Sequence, residues 1–311
     1  MQPLFLEDTG TDTNAEHPAT PYRLSDVDNL HEAIRSDAAR WKTRFTAYFW
    51  SPDGKELLSC VSFGLIFFII GYVFPTTNQR PLPYQYLEGT GDYVRNLVYN
   101  EALQDETVPD WQLAVLCVIL CPMLQLIFAL VHGNVGDIHK TLCVYCIVIT
   151  ITGTGTSILK DFVGYLRPIF YNLCQPSDNY EYCTQGDDDD DLRMSFPSGH
   201  ASWSFATLTL LYLYLERCLG LSGASQFTTT LATSSNQEIV VLQYPKNAFR
   251  YRCHSLLCLI PLGLATFVAV SRVHDNEHFP ADILAGSLLG ATIARHCHQV
   301  WFPDARLNCR K

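Results

Sequence analysis

The sequence predicts an all-α protein, a polytopic membrane bundle with six transmembrane helices. Three observations lead to this fold class. Only 17% of the 311 residues are charged, and the charges lie between long apolar runs. Six of these runs approach the length of about 20 residues that a membrane-spanning helix needs. Three polar motifs each lie at the edge of one of the runs.

The six runs lie at about 57–75, 112–132, 141–159, 200–221, 254–274 and 280–302. The first two are apolar around their whole circumference, which excludes the surface helix of a soluble protein. The third and sixth are more polar, but small residues such as Gly286 and Gly290 allow close packing inside a bundle. Pro122 lies within the second run and is expected to kink that helix.

The Lys and Arg residues predict the orientation, because cytoplasmic loops carry an excess of both. With a cytosolic N-terminus, the inner segments hold Arg40, Lys42, Arg44, Lys55, Lys140, Arg217, Lys246, Arg250, Arg252, Arg306, Arg310 and Lys311. Apart from motif residues, the outer segments hold only Arg80, Arg95 and Arg193. We therefore expect a multi-pass integral membrane protein whose motifs face the lumen or the extracellular space.

The runs divide the chain into a cytosolic N-terminal tail at 1–55, a six-span domain at 56–303 and a short cytosolic C-terminal tail at 304–311. Residues 1–22 are polar and acidic, which is typical of disorder. Apolar residues from Val27 to Phe49 recur at helical spacing. They predict a helix that either packs on the bundle or lies at the cytosolic interface. The polar segment 222–238 is expected to be a flexible inner linker.

The three motifs are Lys160-x6-Arg167-Pro168, Phe196-Pro197-Ser198-Gly199-His200 and Ser271-Arg272-x5-His278-x3-Asp282. Together they supply fixed cations, a serine–glycine turn, two histidines and a carboxylate. Such a set suits binding a phosphate, attacking its phosphorus and protonating the leaving group. Each motif alone has a structural explanation: snorkelling cations, a helix cap, and a His–Asp pair at a helix start. Their joint position on one face of the bundle favours a common phosphate site.

The local pattern supports this interpretation. Ser198 is a natural N-cap for the apolar helix that follows, and the free amides behind it form an anion site. A helix that starts at Pro280 would bring Asp282 towards the imidazole of His278, where a carboxylate fixes the tautomer and frees the other nitrogen for attack. Arg binds phosphate through two hydrogen bonds, and Lys adds a point charge.

The motifs resemble, position for position, the pattern KxxxxxxRP, PSGH and SRxxxxxHxxxD of the type 2 phosphatidic acid phosphatase superfamily. The resemblance covers roughly 55–305 and implies a core like that of the vanadium haloperoxidases. The contexts Ser195 to Phe205 and Val108-Pro109-Asp110-Trp111 resemble eukaryotic lipid phosphate phosphatases of the diacylglycerol pyrophosphate/phosphatidate phosphatase group. Soluble haloperoxidases share the motifs, but six apolar runs argue against that class.

The resemblance implies roles for the motif residues. His278 is expected to be the nucleophile that forms a phosphohistidine, Asp282 to orient it, and His200 to protonate the leaving alkoxide. The phosphoryl oxygens are expected to be held by Lys160, Arg167, Ser198, the Gly199 amide and Arg272. With these cations in place, no metal and no cofactor is expected.

The expected function is magnesium-independent hydrolysis of lipid phosphates in the bilayer, with no nucleic-acid partner. Phosphatidate is the lead substrate, diacylglycerol pyrophosphate and lysophosphatidate are close competitors, and isoprenoid or sphingoid phosphates are the alternative. A non-catalytic scaffold of the same fold should have broken motifs, and none is broken. A transporter would need a polar path through the bundle, whereas the charged residues lie near one face.

Most of the twelve cysteines lie within or beside apolar runs, where Cys packs as a small apolar residue. Cys143-x2-Cys146 has metal-site spacing, but on a spanning helix without partner ligands we interpret it as packing. Cys174 and Cys183 lie in an outer loop, where an oxidising lumen would permit a disulfide; the sequence leaves this pairing open. The run from Asp187 to Asp191 matches no calcium loop and is interpreted as solvated charge.

Overall fold

The computed structural model describes residues 43, 46–73, 80–134, 136–185, 190–219, 221, 228–234, 237–243 and 248–303. Residue 43 and residues 46–50 are helical, and the rest of the predicted helix between Val27 and Phe49 lies outside the described residues. The predicted disordered segment 1–22 and the C-terminal tail 304–311 also lie outside them.

Helices lie over all six apolar runs. Their bounds are α1 Pro52–Val73, α2 Asp110–Ala114, α3 Cys121–Val131, α4 Gly136–Val163, α5 Phe170–Leu173, α6 Gly199–Cys218, α7 Ala248–Cys258, α8 Ile260–His274 and α9 Pro280–Trp301. A π-helical segment, Val115–Leu120, joins α2 to α3. It ends two residues before Pro122, which lacks the N–H that an α-helical turn would use. The expected irregularity at this proline therefore takes the form of a widened turn.

Four helical stretches are long and apolar enough to cross a membrane: Pro52–Gly71, Asp110–Val131, Gly136–Val163 and Phe249–His274. Helices α6 and α9 have 20 and 22 residues, but among the described residues they are not apolar enough to qualify by the same measure. Helix α6 is less apolar because it lies at the centre of the bundle, where it packs against α3, α4, α8 and α9. Its serines and threonines are buried against these neighbours rather than exposed.

Glycines bring α6 and α9 into close contact. A Cβ atom on Gly290 would lie 2.1 Å from the carbonyl oxygen of Ser202, and one on Gly286 would lie 2.6 Å from that of Ser198. Only glycine permits such an approach, so the predicted close packing is confirmed. As a consequence the second and third motifs lie side by side, and the Ser198 N–H donates to the Asp282 carbonyl at 3.1 Å.

Besides the helices, the described residues form three antiparallel hairpins. They pair β1 Tyr84–Leu87 with β2 Asp92–Arg95, β3 Gln175–Pro176 with β4 Cys183–Gln185, and β5 Thr228–Ser234 with β6 Gln237–Gln243. The linker prediction for 222–238 was wrong where β5 and β6 form, because β-branched threonine, isoleucine and valine favour strands. Cys174 and Cys183 form a disulfide with a Cα–Cα distance of 5.3 Å, which settles the pairing that the sequence left open.

Candidate active site

A polar cavity of about 390 Å³ lies where the three motifs meet. Its lining includes the motif residues Lys160, Arg167, Gly199, His200, Arg272 and His278. Ser198 and Asp282 do not line it, and both are fully buried. The structure therefore brings together every site residue that the motifs predicted, with six at the cavity wall and two behind it.

Helix ends position these side chains. Lys160 lies in the last turn of α4. Gly164 ends that helix with a φ of 56°, a left-handed conformation that favours glycine, and its N–H donates to the Lys160 carbonyl at 2.9 Å. The chain then turns so that Arg167 lies in the following loop, where its N–H donates to the Leu192 carbonyl at 3.0 Å. Lys160 and Arg167 consequently reach the same cavity from a helix and from a loop.

Ser198 caps α6 as expected. Its hydroxyl accepts a hydrogen bond from the Ala201 N–H at 3.4 Å. His200 lies in the first turn, with Nε2 3.0 Å from the Val108 carbonyl oxygen and 3.6 Å from Asp110 Oδ1. An acceptor and a carboxylate near one ring nitrogen favour a proton on that nitrogen.

Between His278 and Asp282 lies a residue that the motifs did not identify as functional. The expected direct contact is long, with 3.7 Å between His278 Nδ1 and Asp282 Oδ2. The Ser195 hydroxyl donates to Asp282 Oδ2 at 2.6 Å and lies 3.4 Å from His278 Nδ1. The Phe279 N–H also donates to Asp282 Oδ2, at 3.0 Å. Ser195 is thus placed to connect the carboxylate to the imidazole.

His278 is buried at 3% exposure. Burial, together with the positive charges of Arg167 and Lys160, lowers its pKa to about 4 although the Asp282 carboxylate acts in the opposite direction. The imidazole is therefore neutral near pH 7. Neutrality leaves a ring nitrogen with a free lone pair, which a nucleophile requires.

Carboxylates hold the two arginines. Arg167 Nη2 donates to both carboxylate oxygens of Asp191 at 2.6 Å, and Nη1 forms a further ion pair with Glu277. Arg272 pairs with Glu106 at 3.0 Å and lies 3.8 Å from Glu277. Glu277 therefore lies between the two guanidinium groups. These ion pairs fix the planes of the two guanidinium groups.

Asp191 is an exposed member of the aspartate run, as expected for solvated charge, but it also pairs with Arg167, which the sequence did not indicate. Burial alone would raise the pKa of its carboxyl, but the charges of Arg167 and Lys160 outweigh burial and lower that pKa. Lys160 itself lines the cavity and makes no hydrogen bond or ion pair with any residue that the structure describes. Its ammonium group is therefore available to an incoming anion.

The geometry agrees with a comparison to protein families. A family model described as PAP2 superfamily matches residues 141–306, which is more than half of the chain. The chain belongs to the PAP2 superfamily. All predicted site residues of this PAP2 chain lie within the matched segment.

Curated relatives of this PAP2 chain share about 30% of their residues with it over the aligned parts. It is 32% identical over 213 residues to "Lipid phosphate phosphatase 2" of Arabidopsis thaliana, across 65% of the chain and 64% of that protein. It is also 32% identical over 224 residues to "Lipid phosphate phosphatase 1" of the same plant, across 68% of the chain and 60% of that protein. For "Probable diacylglycerol pyrophosphate phosphatase 1" of Schizosaccharomyces pombe it is 29% over 209 residues, across 64% and 66%.

The match spans less than two thirds of the length of these curated relatives. No solved structure matches the chain significantly. The family assignment therefore rests on the motif-bearing part of this PAP2 chain.

An apolar groove of about 640 Å³ adjoins the polar cavity. It runs between α1 and α4, and its wall includes Val61, Leu65, Phe68, Ile149 and the small residues Gly64, Gly71 and Gly153. Lys160, Gly199 and Trp203 line both the groove and the cavity. A hydrocarbon chain in the groove would thus begin next to the polar cavity of this PAP2 chain.

Sequence reasoning missed Ser195 and the carboxylates of Glu106, Asp110, Asp191 and Glu277. Two of them had a local signal, because Glu277 directly precedes His278 and Ser195 lies three residues before the N-cap of α6. Glu106 and Asp191 come from separate loops. Their proximity to the arginines depends on tertiary structure alone.

Proposed function

We propose that this chain is an integral membrane lipid phosphate phosphatase. It hydrolyses phosphatidate, and also diacylglycerol pyrophosphate and lysophosphatidate, to diacylglycerol-type products and inorganic phosphate. The observation that carries the proposal is the continuity between the polar cavity and the apolar groove. A lipid phosphate has a charged phosphate that fits the cavity and a hydrocarbon chain that fits the groove. The names of the relatives in Arabidopsis thaliana and Schizosaccharomyces pombe support the same substrate class.

In the first chemical step His278 attacks phosphorus. Because Nδ1 faces Ser195 and Asp282, Nε2 is the nitrogen that forms the N–P bond. The P–O bond to the lipid breaks as it forms, and His200 donates a proton to the departing alkoxide. Asp282, through Ser195, stabilises the positive charge that develops on the imidazole.

In the second step water replaces the histidine. His200, now neutral, takes a proton from a water molecule that attacks the phosphohistidine. The N–P bond breaks, His278 becomes neutral again, and inorganic phosphate leaves. The same residue thus acts as acid and then as base, as microscopic reversibility requires for a double displacement.

Fixed positive charge replaces a metal in this mechanism. Lys160, Arg167 and Arg272 line the cavity, and the amides at the start of α6 add donors around Gly199. Such preorganised groups stabilise the charge on the equatorial oxygens of the phosphoryl group in the transition state. We therefore expect turnover to continue in the presence of a chelator and to be inhibited by vanadate, which mimics pentacoordinate phosphorus.

The proposed architecture has six spans, with α6 and α9 counted as the fourth and the sixth. Lys160 lies at the end of α4, Gly199 at the start of α6, Arg272 at the end of α8 and Pro280 at the start of α9. Alternating spans would place all four positions at one membrane face. The bias of Lys and Arg towards the other face makes it the luminal or extracellular one.

The test is a substrate panel with the protein purified in mixed micelles and with chelator present. The panel contains phosphatidate, diacylglycerol pyrophosphate, lysophosphatidate, a sphingoid phosphate, an isoprenoid phosphate and a soluble aryl phosphate. If the sphingoid or the isoprenoid phosphate is hydrolysed fastest, that lipid and not phosphatidate is the lead substrate. No turnover of any of them would support the scaffold alternative and overturn the proposal.

Two variants of α4 test the groove. Gly153→Leu fills it beside Trp203, since a Cβ on Gly153 would already lie 3.2 Å from the indole ring. Gly155→Leu is the matched control, because a Cβ there meets nothing within 4 Å. Displacing two methylene groups of the lipid should raise KM for long-chain phosphatidate by about tenfold at about 0.8 kcal/mol each. The aryl phosphate should be unaffected; an equal loss for both substrates would show that the groove does not hold the lipid.

A further inference from the structure

At the other end of α1 and α4, three side chains with metal-binding atoms converge, and a fourth, Cys60, lies beside one of them. Glu56, His139 and Cys143 place their ligand atoms within 4.8 Å of one another. His139 Nε2 lies 3.1 Å from Glu56 Oε2 and 3.6 Å from Cys143 Sγ. The thiol of Cys60 interacts with that of Cys143. We call Glu56, Cys60, His139 and Cys143 the interhelical cluster.

Helical spacing explains the convergence. Glu56 and Cys60 are four residues apart on α1, and His139 and Cys143 are four residues apart on α4. Residues at this spacing lie on the same helix face, one turn apart. Two such pairs face each other across the contact between α1 and α4. The cluster therefore presents one carboxylate, one imidazole and one thiol within 4.8 Å of one another. The Cys60 thiol lies next to that of Cys143 and can supply the fourth ligand.

The two distances at His139 Nε2 are close to those in a tetrahedral zinc site. Zinc binds carboxylate oxygen and imidazole nitrogen at about 2.0–2.2 Å and thiolate sulfur at about 2.3 Å. At a tetrahedral angle these bonds separate the ligand atoms by about 3.3–3.8 Å. The observed 3.1 Å and 3.6 Å at His139 Nε2 are close to these separations, so small side-chain shifts would suffice.

An ion pair between His139 and Glu56 explains only part of the arrangement. It does not explain why the fully buried Cys143 directs its sulfur at the same imidazole. Cys143 belongs to the apolar core around α4, yet its sulfur also lies 3.6 Å from an imidazole nitrogen. Cys146, the other cysteine of the CxxC pattern, lies apart, because its thiol donates to the Cys60 carbonyl at 3.7 Å. The sequence showed no partner ligands for Cys143. The structure supplies Glu56 from α1 and His139 from the preceding turn of α4.

We propose that the interhelical cluster binds Zn²⁺. Each cysteine releases its thiol proton to solvent as an S–Zn bond forms, and the neutral imidazole and the carboxylate complete the set. Cys143 lies about 25 Å from Lys160 along α4, at 1.5 Å per residue. The ion is therefore structural and takes no part in phosphoryl transfer. It fastens α1, which forms one wall of the apolar groove, to α4.

The experiment uses the full chain in detergent, purified with a reductant that does not bind metals. Co²⁺ replaces Zn²⁺ as the probe, because tetrahedral Co²⁺ with thiolate ligands absorbs in the visible range and shows a sulfur-to-metal charge-transfer band. We expect one Co²⁺ per chain with both signals, and displacement by Zn²⁺. Cys143→Ser and His139→Ala should weaken binding by about tenfold or more, since even outer partners of a metal site contribute that much.

Two measurements guard against misfolding and against a redox explanation. Cys297→Ser, a buried cysteine on α9, is the matched control and should bind Co²⁺ like the wild type. Cys143→Ser should keep its turnover, which shows that the fold survives. The absence of the charge-transfer band in the wild type, or unchanged affinity in Cys143→Ser, would overturn the proposal. So would a Cys60–Cys143 disulfide in the freshly purified, unreduced protein.

Discussion

Replacing Ser195 by alanine tests the orienting contact behind the nucleophile. The Ser195 side chain is fully buried, and its hydroxyl donates to Asp282 Oδ2 at 2.6 Å. A hydrogen bond to a charged group contributes about 1.5–3 kcal/mol. If that contribution is lost when the imidazole becomes positive, the rate falls by about 10- to 100-fold at 1.36 kcal/mol per factor of ten.

The assay is steady-state hydrolysis of phosphatidate in mixed micelles. Because Ser195 does not line the polar cavity, Ser195→Ala should lower kcat and leave KM nearly unchanged. Ser204→Ala is the matched control: Ser204 is equally buried, and its hydroxyl donates to the His200 carbonyl within α6 at 2.7 Å. A folded Ser195→Ala protein with kcat within about twofold of the wild type would refute the orienting role.

Three further predictions concern packing, pH and topology. Gly290→Ala places a methyl group 2.1 Å from a backbone oxygen, and thermal unfolding should show a destabilisation of about 1–3 kcal/mol or more. In the control Gly263→Ala the added methyl group has no atom within 4 Å, so the stability should be unchanged or slightly higher. The pKa of His278 falls from 6.5 to about 4 on folding, so the unfolded chain binds more protons than the folded chain between these pH values. The free energy of unfolding should therefore fall as the pH drops from 6.5 to about 4, and it should fall less in His278→Gln. In a cysteine-reduced background, Glu181→Cys should react with an impermeant thiol reagent only from the luminal or extracellular side and Asn134→Cys only from the cytosol; reaction of both from one side would contradict the six-span topology.

Much of the fold could be predicted because the signals are local. Apolar runs indicated the positions of the helices. Gly286 and Gly290 predicted close packing of the last span, and the structure shows that its partner there is α6. The cap at Ser198 also follows from neighbouring residues. The bounds were less accurate: α1 begins at Pro52, before the apolar run, because a helix can start among polar residues outside the hydrocarbon region.

The rest depended on contacts between distant segments. Each pair in the interhelical cluster is visible at i, i+4 spacing, but nothing local shows that α1 lies against α4 at that register. The sequence shows Asp191 only as one of a run of acidic residues. Its ion pair with Arg167 depends on the folding of the loop that carries it. The hairpin of β5 and β6 was missed because a polar Ser- and Thr-rich segment fits a linker and a strand alike.

The central claim is that His278 is the nucleophile, and trapping of the phosphoenzyme tests it most directly. Radiolabelled phosphatidate is mixed briefly with the purified protein, the reaction is quenched in base, and the labelled peptide is mapped by mass spectrometry. The mechanism predicts an acid-labile phosphate on His278 in the wild type and neither label nor turnover in a folded His278→Ala variant. Label on a different residue, or near-normal turnover by His278→Ala, would contradict it.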